Sequence, residues 1–334
     1  MDLVIFHKSC PDGWCAAFIA HQRFPEAQLL AQDHGLEPPY EEVTDKDVLV
    51  VDFSWRTREQ NLKMAQLAKS FRILDHHKTA QAILEGLDFA TFDMNRSGAG
   101  LAWDYLFGKD SPRAQDAANQ SVVDMYKYNL IMKEMRRPWF VDYVEDRDLW
   151  NKKLPHTDEA NAYIMTLPFE IEAWEELART SLETAISNGR GALAHVEHYV
   201  REGRKQAQLG ILVFTPGRKP EEPGDPGKIY HVKIVNALYM NISELAGALA
   251  QEPGIGIGIG YFERGDGVMQ FSLRSRSDVD VSAIASSLGG GGHKNAAGFQ
   301  LPLTQGRAFV DHILSRRIVS VPGSPSTLLP PHIT

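Results

Sequence analysis

Short apolar runs alternate with helical patterns over the first third of the chain. Residues 3–6, 48–51 and 71–74 are apolar runs of buried-strand length. Residues 13–23 and 57–69 carry helical periodicity. Strands alternating with helices predict a parallel α/β sheet. Farther on, Ser97 is placed to cap a helix over 98–107. Residues 114–135 read as a long helix, stopped by Arg136-Arg137-Pro138. Residues 170–208 read as helix in pieces, with a break near Asn188-Gly189-Arg190-Gly191.

After Gly210 the pattern changes. Residues 211–214 and 230–235 are strand-like, and 216–227 form a loop rich in Pro, Gly and acid. Residues 243–251 resemble a helix. Residues 255–262 alternate Gly with Ile before the turn Arg264-Gly265-Asp266-Gly267, and 268–274 return as a strand, which is a hairpin signal. Without Lys-Ser or Lys-Thr after it, the Gly-Ile stretch reads as a strand with little bulk on one face rather than a nucleotide loop. Residues 281–288 form a short helix, followed by the glycines before His293. The predicted organisation is an N-terminal parallel-sheet domain over 1–185, a helical linker over 186–208, a smaller C-terminal α/β domain with a mixed sheet over 209–318, and a loose tail over 319–334.

A chain of 334 residues is long enough for two domains with proper cores. Its formal net charge of −8 argues against a broad, sequence-blind grip on duplex DNA, but leaves room for a local cleft that binds a short anionic substrate. Cys10 and Cys15, too close together for a disulfide scaffold, are the only cysteines. No apolar run reaches the roughly 18 residues of a membrane span, and no leader is visible. The expectation is a reduced, cytoplasmic protein without a membrane partner; a homodimer stays open.

Candidate chemistry gathers where the apolar runs end. His7 follows residues 3–6, Asp52 follows 48–51, and Asp75-His76-His77 follows 71–74. In open α/β sheets ligands collect beyond the carboxyl ends of the strands. Taken singly, each residue has a plainer explanation: Asp12 as a turn or helix cap, Asp52 as a strand-end cap, the histidines as backbone partners. Together they bring imidazole and carboxylate groups to one sheet edge. Divalent metals such as manganese take such a mixed set, whereas structural zinc favours cysteine-rich ligands.

The run Asp75-His76-His77, with His7 and Asp12-Gly13 before it and Asp52 between, resembles the DHH phosphoesterases. The segment from Phe271 through Arg274 and Arg276 to Asp280-Val281-Ser282, and the signature Gly290-Gly291-Gly292-His293, resemble that family's associated C-terminal domain. The resemblance covers nearly the whole chain and looks most like the phosphodiesterases of short RNA and small nucleotides. It implies a two-manganese site. His7 would serve one metal, Asp52 would bridge both, and Asp12, His76 and Asp146 would complete the second, with Asp148 the rival of Asp146. Asp75 would orient a ligand, and His77 would face the substrate phosphate. Arg274, Gly290, Gly291, Gly292 and His293 would hold the distal nucleotide or its terminal phosphate. A metal-activated water would attack phosphorus, with a short RNA or DNA oligonucleotide or a small nucleotide as substrate.

One departure matters. The family often has two aspartates, separated by one residue, after the histidine, and Cys10-Pro11-Asp12-Gly13 offers one. Aligning Asp12 with the second aspartate puts Cys10 in place of the first, so that manganese site would be weak. Aligning it with the first puts Trp14 in place of the second. Two other classes stay open: a different phosphohydrolase (of nucleotide 3′-phosphates, linear or cyclic dinucleotides, or polyphosphate), and a nucleotide-binding module whose metal site has decayed.

Overall fold

The computed structural model describes residues 1–8, 10–33, 36–108, 137–214, 227–276 and 278–315. The expected helix at 114–135, the loop at 216–227 except for Gly227, and the tail at 319–334 lie outside them. The chain divides into two compact units, Met1–Leu193 and Ala194–Thr334. Among the described residues no helix is long and apolar enough to cross a membrane.

In the first unit, β1 (Leu3–His7), β2 (Gln28–Gln32), β3 (Asp47–Val51), β4 (Ser70–Asp75) and β5 (Ala90–Phe92) form a fully parallel sheet in the order β2-β1-β3-β4-β5. Alternate side chains of the three central strands enter two different cores. Val4, Phe6, Leu49, Val51 and Leu74 face α1 (Pro11–Arg23), α5 (Gly98–Phe107) and α6 (Trp139–Asp148). Leu3, Ile5, Val48, Val50 and Ile73 face the other way, toward Met64 of α3 (Arg58–Leu67) and the Ala80 and Leu84 side of α4 (Lys78–Leu84). Burial on both faces is why these strands read as continuous apolar runs. The short helix α2 (Tyr40–Val43) precedes β3, and α7 (Thr157–Ile164) and α8 (Ile171–Arg179) follow α6.

The helix α9 (Leu182–Gln206) is continuous where a break near residues 188–191 is expected. The interruption falls earlier, between Arg179 and Leu182. Gly189 does not end the helix. It lets α9 pass against α7, where a Cβ would overlap the Glu159 carbonyl oxygen.

The second unit carries β6 (Gln208–Phe214), β7 (Lys228–Asn236), β8 (Ile257–Glu263), β9 (Val268–Ser275), β10 (Gly291–His293) and β11 (Ala296–Pro302) in a mixed sheet ordered β10-β11-β9-β8-β7-β6. Only β7 and β8 pair in parallel. One face packs Met269, Phe271, Leu273 and Phe299 with α11 (Val281–Ser287) and α12 (Leu303–Ser315). The other carries α10 (Ile242–Ala250) over β8 and β9. The Gly-Ile alternation explains that contact. Ile257 and Ile259 are core residues, whereas a Cβ at Gly258 would overlap the Ala246 carbonyl oxygen of α10.

Gly258→Ala is therefore expected to lower stability by about 1–3 kcal/mol through overpacking, while Gly256→Ala, where a Cβ meets only ordinary contacts, should cost much less. Urea unfolding of the two variants checks this, and equal losses would contradict it.

Candidate metal centre

The strand order contains its own switch point. From β1 the chain moves to β2 on one side and then to β3 on the other, so the crossovers diverge between the carboxyl ends of β1 and β3. His7 ends β1 and Asp52 directly follows β3. Asp52 is a non-glycine residue at φ 54°, in the sparsely populated left-handed region. Its backbone N–H donates to the Leu74 carbonyl at 2.9 Å. Gly98 makes room for it, since a Cβ at 98 would overlap the Asp52 side chain.

Asp52 is the shared member of two donor sets. His7, Cys10 and Asp52 form one, and Asp12, Asp52 and His76 the other; within each, the ligand atoms lie within 4.8 Å of one another. In the first, Cys10 Sγ is 3.3 Å from His7 Nδ1 and donates to Asp52 Oδ2 at 3.2 Å. In the second, His76 Nε2 is 3.0 Å from Asp52 Oδ1 and 3.4 Å from Asp12 Oδ2. Asp12 is held in place by the first amides of α5: Gly98 N–H and Ala99 N–H donate to its two oxygens at 2.6 and 2.9 Å. An N, S and O set beside an all-N/O set, joined by one carboxylate, suits a pair of divalent cations.

Cys10, not Trp14, occupies the place beside His7. Cys10 is the N-cap of α1 and accepts from Gly13 N–H at 3.3 Å, while Trp14 packs on Phe6 and donates from Nε1 to the Lys8 carbonyl.

Residues 229–316 match the family model of the DHHA1 domain. The C-terminal unit thus carries a DHHA1 domain. Uncharacterized protein R106 of Acanthamoeba polyphaga mimivirus is 26% identical over 336 residues, covering 89% of this chain and 67% of its own length. Among solved structures, the pGpG-specific phosphodiesterase PggH of Vibrio cholerae is 11% identical with a TM-score of 0.40, covering 94% of this chain and 98% of its own. RecJ of Thermus thermophilus, solved with Mn2+, is 13% identical with a TM-score of 0.49 over 94% of this chain, which spans 51% of that RecJ chain.

Of the residues expected at the DHH centre, His7, Asp12, Asp52 and His76 come together, and Asp146 does not. Its oxygens accept from the backbone N–H groups of Lys153 and Leu154 at 2.9 and 3.0 Å, where it closes the loop after α6. Asp148 reaches the cluster instead, with Oδ2 3.6 Å from His76 Nε2. Two further members carry no motif of their own. Asp33, just after β2, has Oδ1 3.5 Å from His7 Nε2. Ser54 donates to Asp75 Oδ2 at 2.6 Å. Asp75 also accepts from His76 N–H, His77 N–H and His77 Nδ1, so it orients His77 and the turn after β4.

In the second unit, strand register sets Arg274 of β9 opposite Ala296 of β11, and Ala296 opposite His293 of β10. Directly paired residues share a sheet face, so Arg274 and His293 lie on one face, opposite the core formed by Leu273 and Ala297. Arg274 donates to Ser243 Oγ at 2.7 Å, Ser272 Oγ at 3.1 Å and the Leu273 carbonyl at 2.9 Å. Arg276 is a structural group that donates to the carbonyls of Ala250, Gln251 and Glu252 at the end of α10. The glycine signature is not an open loop. Gly291, Gly292 and His293 form β10, and the Gly290 N–H is committed to the Ala285 carbonyl at 2.7 Å.

Electrostatics at the cluster are those of a site held together by protons when no cation is bound. Burial works against a charged His76, but the Asp52 hydrogen bond and the carboxylates of Asp148, Asp52 and Asp12 raise its pKa to about 10. Burial likewise opposes a charged His7, and Cys10, Asp33 and Asp52 outweigh it. Asp52 titrates well below the ordinary range despite burial, because His7 and His76 bond to it. Burial, then repulsion from Asp52, raises Asp12; the same two causes, with His76 opposing, raise Asp148. Burial and Asp52 push Cys10 up to about 12.

A cation binding through His76 near neutral pH must displace its proton. Metal affinity should therefore rise with pH, about tenfold per unit for each proton released, up to the pKa of His76. Titration calorimetry in buffers of different ionisation enthalpy reads the proton count, and zero release at pH ~7 would contradict the assignment. Asp148→Asn should weaken metal binding by about 10–100-fold, while Asp146→Asn should lower the melting temperature and leave metal stoichiometry unchanged. The reverse pattern would restore Asp146 as the ligand.

Proposed function

We propose that this chain is a divalent-metal phosphodiesterase of short oligonucleotides or small nucleotides, with manganese at the Asp12–Asp52–His76–Asp148 set. The observation that carries the proposal is one buried carboxylate, Asp52, belonging to two donor triads at the sheet switch point. Metals bound there supply an activated water and neutralise charge on the phosphoryl oxygens. The protein's own part is to fix the donors. Asp12 is anchored on the α5 amides, and His7 lies between Asp33 and Asp52.

His77 is the group proposed to meet the scissile phosphate. Its Nδ1 lies 2.8 Å from Asp75 Oδ1. With the proton on Nδ1, Nε2 is an acceptor; with both nitrogens protonated, Nε2 donates to an anionic oxygen. His77 is half-buried while His76 is fully buried, which suits one for substrate and the other for metal. In the DHHA1 unit, Arg274 and His293 share a face on which a terminal phosphate can be held by charge-assisted hydrogen bonds. Short substrates also suit a chain whose net charge is −8.

The test is turnover by the manganese-loaded chain of a bis-aryl phosphate ester, then of dinucleotides, longer RNA and nucleotide bisphosphates. Asp52→Asn keeps the shape and removes the charge, and should lower kcat by about 10²-fold or more. Wild-type inactivity across the panel, or an Asp52→Asn variant turning over normally, would end the proposal. Arg274→Ala should raise KM on nucleotide substrates with bound manganese unchanged; loss of manganese from the folded variant would contradict the role given to that face.

A further inference from the structure

The two donor sets that share Asp52 differ in softness. Asp12, His76, Asp148 and the shared Asp52 offer oxygen and imidazole alone, whereas His7 and Asp52 are joined by the sulfur of Cys10. We infer that the centre is heterobimetallic in design: the His7–Cys10–Asp52 set selects a thiophilic ion of the zinc type, and the other set keeps a harder ion such as manganese. The inference rests on the metal-centre reading above and is independent of the substrate.

Three features carry it. The first is the size of the triangle. A tetrahedral zinc ion, with Zn–S about 2.3 Å and Zn–N and Zn–O about 2.0–2.2 Å, spaces its ligand atoms about 3.3–3.6 Å apart. Sγ to Nδ1 is 3.3 Å, Sγ to Oδ2 is 3.2 Å, and Nδ1 to Oδ2 is 3.7 Å. These edges already approximate one face of such a tetrahedron. The second is what stands behind His7. Its Nδ1 faces Cys10 and Asp52, while Nε2 faces the Asp33 carboxylate at 3.5 Å, an arrangement in which an outer carboxylate sets the tautomer and basicity of a metal-binding imidazole. The third is the position of the sulfur. Cys10 caps the N-terminus of the 13-residue helix α1 and accepts the Gly13 N–H, so the turn holds its sulfur beside His7 Nδ1 and Asp52 Oδ2.

On coordination the thiol proton leaves to solvent and the thiolate becomes a ligand, with no change of oxidation state. A thiolate gives little to a hard manganese ion. For zinc, cobalt or ferrous iron it raises affinity and selects against magnesium and manganese. The other cysteine, Cys15, is buried among the apolar side chains of the α1 core and serves as the internal control.

The experiment uses the metal-free full chain and Co2+ as the spectroscopic stand-in for zinc. An equimolar addition of Co2+ should give a thiolate-to-cobalt charge-transfer band in the near ultraviolet. Zn2+ should abolish the band by displacement, and a large excess of Mn2+ should leave it in place. Cys10→Ser should lose the band and Cys15→Ser should keep it. Cys10→Asp should lose it too and bind Mn2+ with a second tight step absent from the wild type. Absence of the band in wild type that nevertheless binds two Mn2+ tightly, or a band that survives Cys10→Ser, would overturn the selectivity while leaving the phosphodiesterase proposal standing. A wild type that binds no divalent ion would overturn both. Normal zinc–cobalt behaviour with no hydrolysis of any phosphodiester would uphold the inference and remove the function.

Discussion

A carboxylate 1% exposed to solvent must be paired or neutralised, and Asp52 is met from three directions. His76 approaches one oxygen; Cys10 and His7 approach the other. The residue takes a left-handed backbone conformation, which turns its side chain at the end of β3 away from the direction of a continuing strand. Such strain persists only where the surroundings over-determine it. Here the Leu74 carbonyl fixes its amide, and the absence of a side chain at Gly98 leaves its space. Both donor triads contain Asp52, so neither survives its displacement.

The N-terminus of α5 is the second element on which the centre is built. Four successive amides there find side-chain acceptors. Ser97 N–H donates to Glu145, Gly98 and Ala99 N–H to Asp12, and Gly100 N–H to the Ser97 hydroxyl. Satisfying the open amides of a helix start and placing a carboxylate at its positive end are one operation. Asp12 therefore serves the fold and the donor cluster together. Glu145 ties α6 to the same helix start and also takes Arg96, which brings the end of α6, with Asp148, to His76.

The DHHA1 unit works by removing bulk. Gly258 lets α10 lie directly on the sheet, and Arg274, its cross-strand neighbour on β9, reaches Ser243 at the start of that helix. With Arg276 spent on the last carbonyls of the same helix, the two arginines of one short motif divide into a face-lining group and a cap. Alternation along the strand separates them from the core residues Leu273 and Phe271.

The sequence by itself determined the strands buried on both faces, because runs such as residues 48–51 and 71–74 have few other homes, and it placed His7, Asp52 and His76 at their ends. It also determined the Ser97 cap and the glycine face of β8. It was silent where local signals are weak. β2 is a short edge strand of Gln, Leu and Ala, β5 has three residues, and α12 carries a glycine in its first turns. Only tertiary structure decided that Cys10 takes the place beside His7, since the register of that turn depends on how α1 docks below β1. It likewise decided between Asp146 and Asp148. Two residues apart on a helix point about 200° apart around its axis. Which of them meets His76 is set by the rotation of α6 against α5 and the sheet, and that rotation is fixed by packing between segments far apart in the chain.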